Sequence, residues 1–199
     1  MKIVIVGATG TIGKHVVKAL EKDNEIIKVG SKSGDYQVDI TSAESIKQLF
    51  EKIGKFDALI STTGDGHFGP LNEMTETEFR IGLNSKLMGQ VNLVLIGQHY
   101  INPKGSFTIT SGSLSHDPIK LGAAVSTVNG ALNSFVIGAS VELDNGVRIN
   151  AVSPGVVEDS PAYFPYFPGN VPATMHQVAQ AYVKSVLGAQ TGQVFEVAG

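Results

Sequence analysis

The sequence predicts an α/β fold: one doubly wound parallel sheet in a single domain covering residues 1–199. Three observations predict it. The chain opens on an apolar β-branched run, a glycine-rich turn and a helix-like stretch. Strand and helix patterns then alternate to the C-terminus, the order that builds a parallel sheet with helices on both faces. No internal repeat or linker-like stretch divides the 199 residues, a length that supports one large core.

The elements follow in order. Ile3, Val4, Ile5 and Val6 suit a strand buried on both faces. Val16, Val17 and Leu20 then recur at helical spacing. Ile26, Ile27 and Val29 mark a second strand over residues 25–30. Residues 36–40 follow too soon for a helical crossover, which needs about a dozen residues, so a stub at the sheet edge is expected. Thr41 or Ser42 caps a helix to Ile53, with Ile46, Leu49, Phe50 and Ile53 as its buried face. Residues 56–60 form the next strand, and 61–70 a glycine-rich loop. Thr75 opens a short helix. Residues 85–101 read as one long helix ended by Pro103 and Gly105, and 106–110 as a strand. Residues 121–143 read as a helix dense in small side chains. Asn145-Gly146 is a turn, 147–152 a strand, 154–172 irregular, 174–187 a helix and 193–197 the last strand.

Composition narrows the function classes. A formal net charge of −3 gives no hint of a nucleic-acid or membrane surface. The small-residue stretch 123–141 is interrupted by Asn129 and Asn133, so it reads as a buried helix and not a membrane span. The chain has no cysteine, which removes disulfides and thiolate metal sites and fits a reducing compartment. The N-terminal apolar run is too short for a signal peptide. A cytoplasmic protein without a metal site is expected.

The chemistry begins at Gly7, Gly10 and Gly13, spaced by three between the first strand and its helix. Glycines let the backbone turn tightly and approach a pyrophosphate, and a helix N-terminus offers free N–H groups with partial positive charge. The alternative is an ordinary tight turn.

Several segments, in order, resemble the short-chain dehydrogenase/reductase family, whose fold is a Rossmann-type sheet. Gly7, Ala8, Thr9, Gly10, Thr11, Ile12 and Gly13 resemble its cofactor loop. Asp39, with Ile40 beside it, resembles the acidic position that meets the adenine. Ser61, Thr62, Thr63 and Gly64 stand where the family usually carries Asn-Asn-Ala-Gly. Asn84 resembles the asparagine of the following helix, and Ser111 the serine that ends the fifth strand. Residues 148–155 match the sixth strand and its Pro154-Gly155 exit. The resemblance implies a nicotinamide dinucleotide cofactor, an oxidoreductase activity on an unidentified small molecule, and a homodimer formed through the helices at 85–101 and 121–143.

One departure is decisive. The family's catalytic pair is Tyr-x-x-x-Lys, and here Val125 stands for the tyrosine and Asn129 for the lysine. Valine has no proton to give and asparagine no charge. Loss of a general acid costs about 10²–10⁴-fold in rate. His116, close to Ser111, is the first candidate substitute; His67, Tyr163 and Tyr166 are others, each equally readable as a surface or packing residue. Two functions therefore stand: an oxidoreductase with an altered acid, or a non-catalytic cofactor-binding sensor or partner subunit.

At the end of the second strand, Ser31, Lys32 and Ser33 suit the 2′-phosphate of NADP, although Lys32 also reads as an exposed loop lysine. Asp35 could instead fold back toward a ribose, as NAD requires. NADP is the expected cofactor and NAD the alternative.

Overall fold

The computed structural model describes residues 1–199. Seven strands form one sheet: β1 (Lys2–Val6), β2 (Glu25–Gly30), β3 (Tyr36–Gln37), β4 (Phe56–Ser61), β5 (Ile101–Thr110), β6 (Arg148–Pro154) and β7 (Val194–Val197). All pairings are parallel, in the order β3-β2-β1-β4-β5-β6-β7. The strand order reverses between β1 and β4, the switch point at which doubly wound sheets bind ligands.

Alternation along the strands supplies a core on each face. Val4 and Val6 of β1 join Leu59 of β4 and Ile149 of β6 beneath α2 (Ala43–Ile53), α4 (Met88–Gly97) and α5 (Ala123–Ala139). Ile3 and Ile5 face the other way, with Ala58 and Ile60, onto α1 (Gly13–Leu20) and α6 (Met175–Leu187). Buried aromatic rings fill the first face, with Phe50 lying 5.4 Å from Phe56 and 5.6 Å from Tyr100.

Helix starts carry their own signals. Ser42 caps α2 by accepting the Ser45 amide. Thr75 and Glu78 form a capping box at α3 (Glu76–Gly82), as do Thr174 and Gln177 at α6. The third strand is the expected stub, although it ends at Gln37, with Val38 and Ile40 turning down into the core.

Two expected helices are corrected. The 85–101 stretch is a π-turn (Leu83–Leu87) that continues α3, followed by α4, which ends at Gly97. Ile101 starts β5 instead. An apolar run that passes from a buried helix into a buried strand has no change of pattern at the boundary. Pro103 and Gly105 therefore lie inside β5, where the register slips between the Phe56–Ile101 and Ala58–Ser106 pairs. The 121–143 helix spans only Ala123–Ala139. Leu121 has φ 68°, which no right-handed helix accommodates, and residues 140–143 close in turns.

At the N-terminal edge of the sheet, the Asp57 carboxylate accepts the Lys2 amide and the Asn102 side-chain amide, both at 2.7 Å. These two bonds tie β1, β4 and β5 together. They also hold the Asp57 carboxyl below the usual carboxylate range. A lowered folded-state pKa contributes stability above the ordinary value of about 3.9, and that stability is lost as pH falls through the lowered value. Asp57→Asn is expected to be less stable than wild type by about 1–3 kcal/mol at pH 7. Urea titrations should show that gap narrowing as the pH is lowered toward about 2.

Candidate active site

The site is built where the C-terminal ends of β1 and β4 diverge. Gly7 leaves β1 with φ 85°, a conformation that favours glycine. The Thr62 hydroxyl donates to the Val6 and Gly7 carbonyls at 3.2 and 3.1 Å, pinning the two strand ends together. A Cβ on Gly13 would lie 2.0 Å from the Gly7 carbonyl oxygen, so only glycine lets α1 start this close to β1. The turn closes through the Gly10 amide to the Gly7 carbonyl at 3.0 Å. The amides of Thr11, Ile12 and Gly13 have no acceptor within the chain, and no side chain caps α1. Three free donors at a helix N-terminus fit a pyrophosphate.

Beside this turn lies a cavity of about 410 Å³. Of the residues expected from sequence, Gly7, Thr9, Gly10, Ser31, Asp39, Ile40, Thr62 and Gly64 line it. Asp39 sits on its wall, and its carboxylate accepts the Thr41 amide and hydroxyl, which hold its pKa below the usual range. Lys32 and Ser33 lie exposed next to Ser31, and the Ser33 hydroxyl is 3.0 Å from that of Thr9. The Asp35 carboxylate accepts the Lys28 amide at 2.8 Å, an engagement that folds it back on β2 and not toward a ribose.

Val6, Gly30, Val38, Thr41, Asp65 and Ser85 also line it without having been nominated from sequence, as does Thr63 of the quoted Ser61–Gly64 segment. The Ser85 hydroxyl accepts the Asp65 amide at 3.0 Å and holds the loop after β4 against the π-turn. A small hydroxyl residue in an apolar helix was the available signal.

The second half of the site lies at the end of β5. Ser111 is buried and donates its hydroxyl to the Asn129 carbonyl at 3.1 Å. Asn129 is also buried, and its side-chain oxygen finds no partner. Val125 is buried beneath the loop after β4, where a Cβ on Gly66 would come within 2.9 Å of a Val125 methyl. Loop backbone thus packs directly against the Val125 side chain. Lys86, on the π-turn, donates its ammonium to the Ser111 carbonyl at 2.9 Å. Partial burial pushes its pKa down from 10.5 to about 8.

The other candidates are dispersed. Asn84 is exposed on the π-turn and has no hydrogen-bond partner within the chain. His116 is exposed, 3.3 Å from the Ser115 hydroxyl and 3.7 Å from the Glu196 carboxylate. His67 faces Glu78 at 3.8 Å. Pro154 ends β6, and the Gly155 amide donates to the Val197 carbonyl. Tyr163 packs on Phe68 with ring centres 6.2 Å apart, so the loop after β6 meets the loop after β4. Tyr166 helps to line a second cavity of about 500 Å³, bounded by Asp117 and Leu121 on the other side. No group of three or more histidines, cysteines or acidic residues is arranged to hold a metal, and no helix is long and apolar enough to cross a membrane.

Replacing Gly13 tests the cradle. Gly13→Ala is expected to lower the thermal midpoint by several degrees, because overpacking costs about 1–3 kcal/mol. The same variant should lose dinucleotide binding in calorimetry.

Known proteins share this architecture. A family model described as enoyl-(acyl carrier protein) reductase matches residues 3–189. A solved protein from Listeria innocua is 47% identical, with a TM-score of 0.97 and 98% of each chain covered. A small-chain dehydrogenase solved in complex with NADPH is 27% identical, with a TM-score of 0.88, covering 100% of this chain and 96% of its own. Among curated relatives, an uncharacterized oxidoreductase of Methylorubrum extorquens is 26% identical over 77% of this chain and 72% of its own length. A short-chain dehydrogenase/reductase of Pestalotiopsis microspora is 26% identical over 80% of this chain, which spans 57% of that relative. With the glycine cradle, the switch-point cavity and a family match over nearly the whole length, the chain belongs to the short-chain dehydrogenase/reductase family.

Proposed function

We propose that the protein is an NADP-dependent oxidoreductase of a small carbonyl or alcohol substrate, with a proton donor other than the family's tyrosine. The observation that carries the cofactor is the set of three free amides on Thr11, Ile12 and Gly13, which directly follow Gly7, Thr9 and Gly10 of the switch-point cavity wall. Asp39 and Ile40 would border the adenine, Thr62 and Gly64 the adjoining ribose, and Pro154 and Gly155 the nicotinamide. When bound, the dinucleotide supplies or accepts a hydride.

Ser31, Lys32 and Ser33 would receive the 2′-phosphate of NADP. The carboxylate that would favour NAD, Asp35, is engaged by the Lys28 amide. Ser111 stands at the strand end that faces the nicotinamide in this reading, with Asn84 on the neighbouring turn. His116 adjoins Asp117 on the rim of the second cavity, where a substrate would enter. It is the substitute proton donor to test first, although its side chain turns outward toward Glu196 in the structure.

The burial of Val125 under Gly66 favours a second reading, a cofactor-binding sensor or partner subunit without turnover. The exposed apolar residues Leu95 and Ile137, on α4 and α5, suit a homodimer in either case.

Calorimetric titration with NADPH and with NADH tests the cofactor. NADPH is expected to bind at least about tenfold more tightly, with the preference lost in Lys32→Ala, since a charge-assisted phosphate contact contributes about 1.5–3 kcal/mol. Preference for NADH would contradict the assignment. NADPH oxidation over a carbonyl panel separates the two functions: turnover that falls about 10²-fold or more in His116→Ala supports the enzyme and its acid. Binding without turnover supports the sensor.

A further inference from the structure

We propose that Lys86 is the cation of the nicotinamide half of the site, binding the ribose hydroxyls of the dinucleotide in place of the lysine that Asn129 does not supply. The inference rests on the dinucleotide reading above and assigns the site a residue on a different helix from the family's pair.

Position is the first argument. The Lys86 ammonium lies 2.9 Å from the Ser111 carbonyl, at the C-terminal end of β5. The Ser111 hydroxyl in turn donates to the Asn129 main-chain carbonyl, so Lys86 and Asn129 meet on the same strand-end residue. The adenosine cavity lies over β1, β2 and β4, with Ser85 on its wall one residue away, so Lys86 marks the next part of a ligand running along the strand ends. Gly64 allows this placement. It has φ 121°, and a Cβ there would sit 2.5 Å from the Lys86 Cα. The loop that borders the cavity is therefore laid directly on the lysine.

The π-turn is the second argument. Leu83–Leu87 interrupts regular α-helix, and such turns re-aim side chains and recur at functional sites. Here the turn directs a lysine inward from a stretch that is otherwise apolar or neutral through Gly97.

Unmet charge is the third. An ammonium has three donors, and Lys86 has one acceptor and no ion pair. The elements around it offer none. α4 and α5 carry no titratable residue. On α3, Glu76 pairs with Arg80, and Glu78 is held by Thr75 and faces His67. Asp65, on the loop above, uses its amide on Ser85 and makes no ion pair with Lys86. A partly buried cation with two free donors is expensive to leave unmatched, and vicinal hydroxyls match it.

The test compares wild type, Lys86→Met and Lys86→Arg by calorimetry with NADPH and with 2′,5′-ADP, which lacks the nicotinamide ribose. Lys86→Met is expected to lose about tenfold or more in NADPH affinity. Its affinity for 2′,5′-ADP should stay within about twofold of wild type. Because the neutral amine is a weaker donor than the ammonium, wild-type NADPH affinity should fall as the pH rises through about 8. That fall should be absent in Lys86→Arg, whose guanidinium does not titrate there and which restores affinity even if the methionine variant is poorly folded. Wild-type affinity and pH profile in Lys86→Met, or equal losses for both ligands, would overturn the role of Lys86. Wild type that binds neither NADPH, NADH nor 2′,5′-ADP would instead overturn the dinucleotide reading itself.

Discussion

The site depends on a close approach: α1 begins almost in contact with the end of β1. Gly13 has no Cβ to strike the Gly7 carbonyl, and Gly7 turns with a positive φ under the Thr62 hydroxyl. That contact fixes where the helix points. It leaves three amides without an acceptor, and Gly7 and Gly10 set the edge of the cavity between β1 and β4. Larger residues at Gly7 or Gly13 would push the helix away and remove the donors as a group. The two cores below, one on each sheet face, hold the strands whose ends make this meeting possible.

Beyond the cradle, the site divides into a retained half and a rebuilt half. On the side proposed for the adenosine, the cavity wall carries strand ends, the acidic Asp39 and the glycine loop. In the proposed reading the nicotinamide side lacks the tyrosine and lysine of the family pattern, and the packing there differs as well as the chemistry. Gly66 closes over Val125, and the buried Asn129 side-chain oxygen is left without a partner. A positive charge has not vanished from the region, because Lys86 enters it from the π-turn. The substitution at Asn129 and the turn at Leu83–Leu87 are therefore best understood together.

The sequence revealed the fold because its strands are short, apolar and separated by clear turn residues. Of Thr41 and Ser42, Ser42 is the cap of its helix, the helices expected to open at Thr75 and Thr174 do so through side-chain caps, and the short gap before Tyr36 required an edge stub. It was less informative at Gly97–Ile101, where helix and strand are both buried and share one apolar pattern. Eight residues of the cavity wall were readable from glycine spacing and family resemblance. Lys86 was not, since a lone lysine before an apolar helix looks like a solvated residue until a π-turn directs it inward. His116 illustrates the reverse: proximity to Ser111 in sequence did not bring the two side chains together, because His116 turns outward toward Glu196.

The most direct measurement is amide hydrogen exchange at single-residue resolution, with and without saturating NADPH. The account predicts that Thr11, Ile12 and Gly13, free donors in the structure, slow markedly when the dinucleotide binds, because their N–H groups then close on its pyrophosphate. Unchanged exchange at these three amides, with NADPH bound, would contradict it.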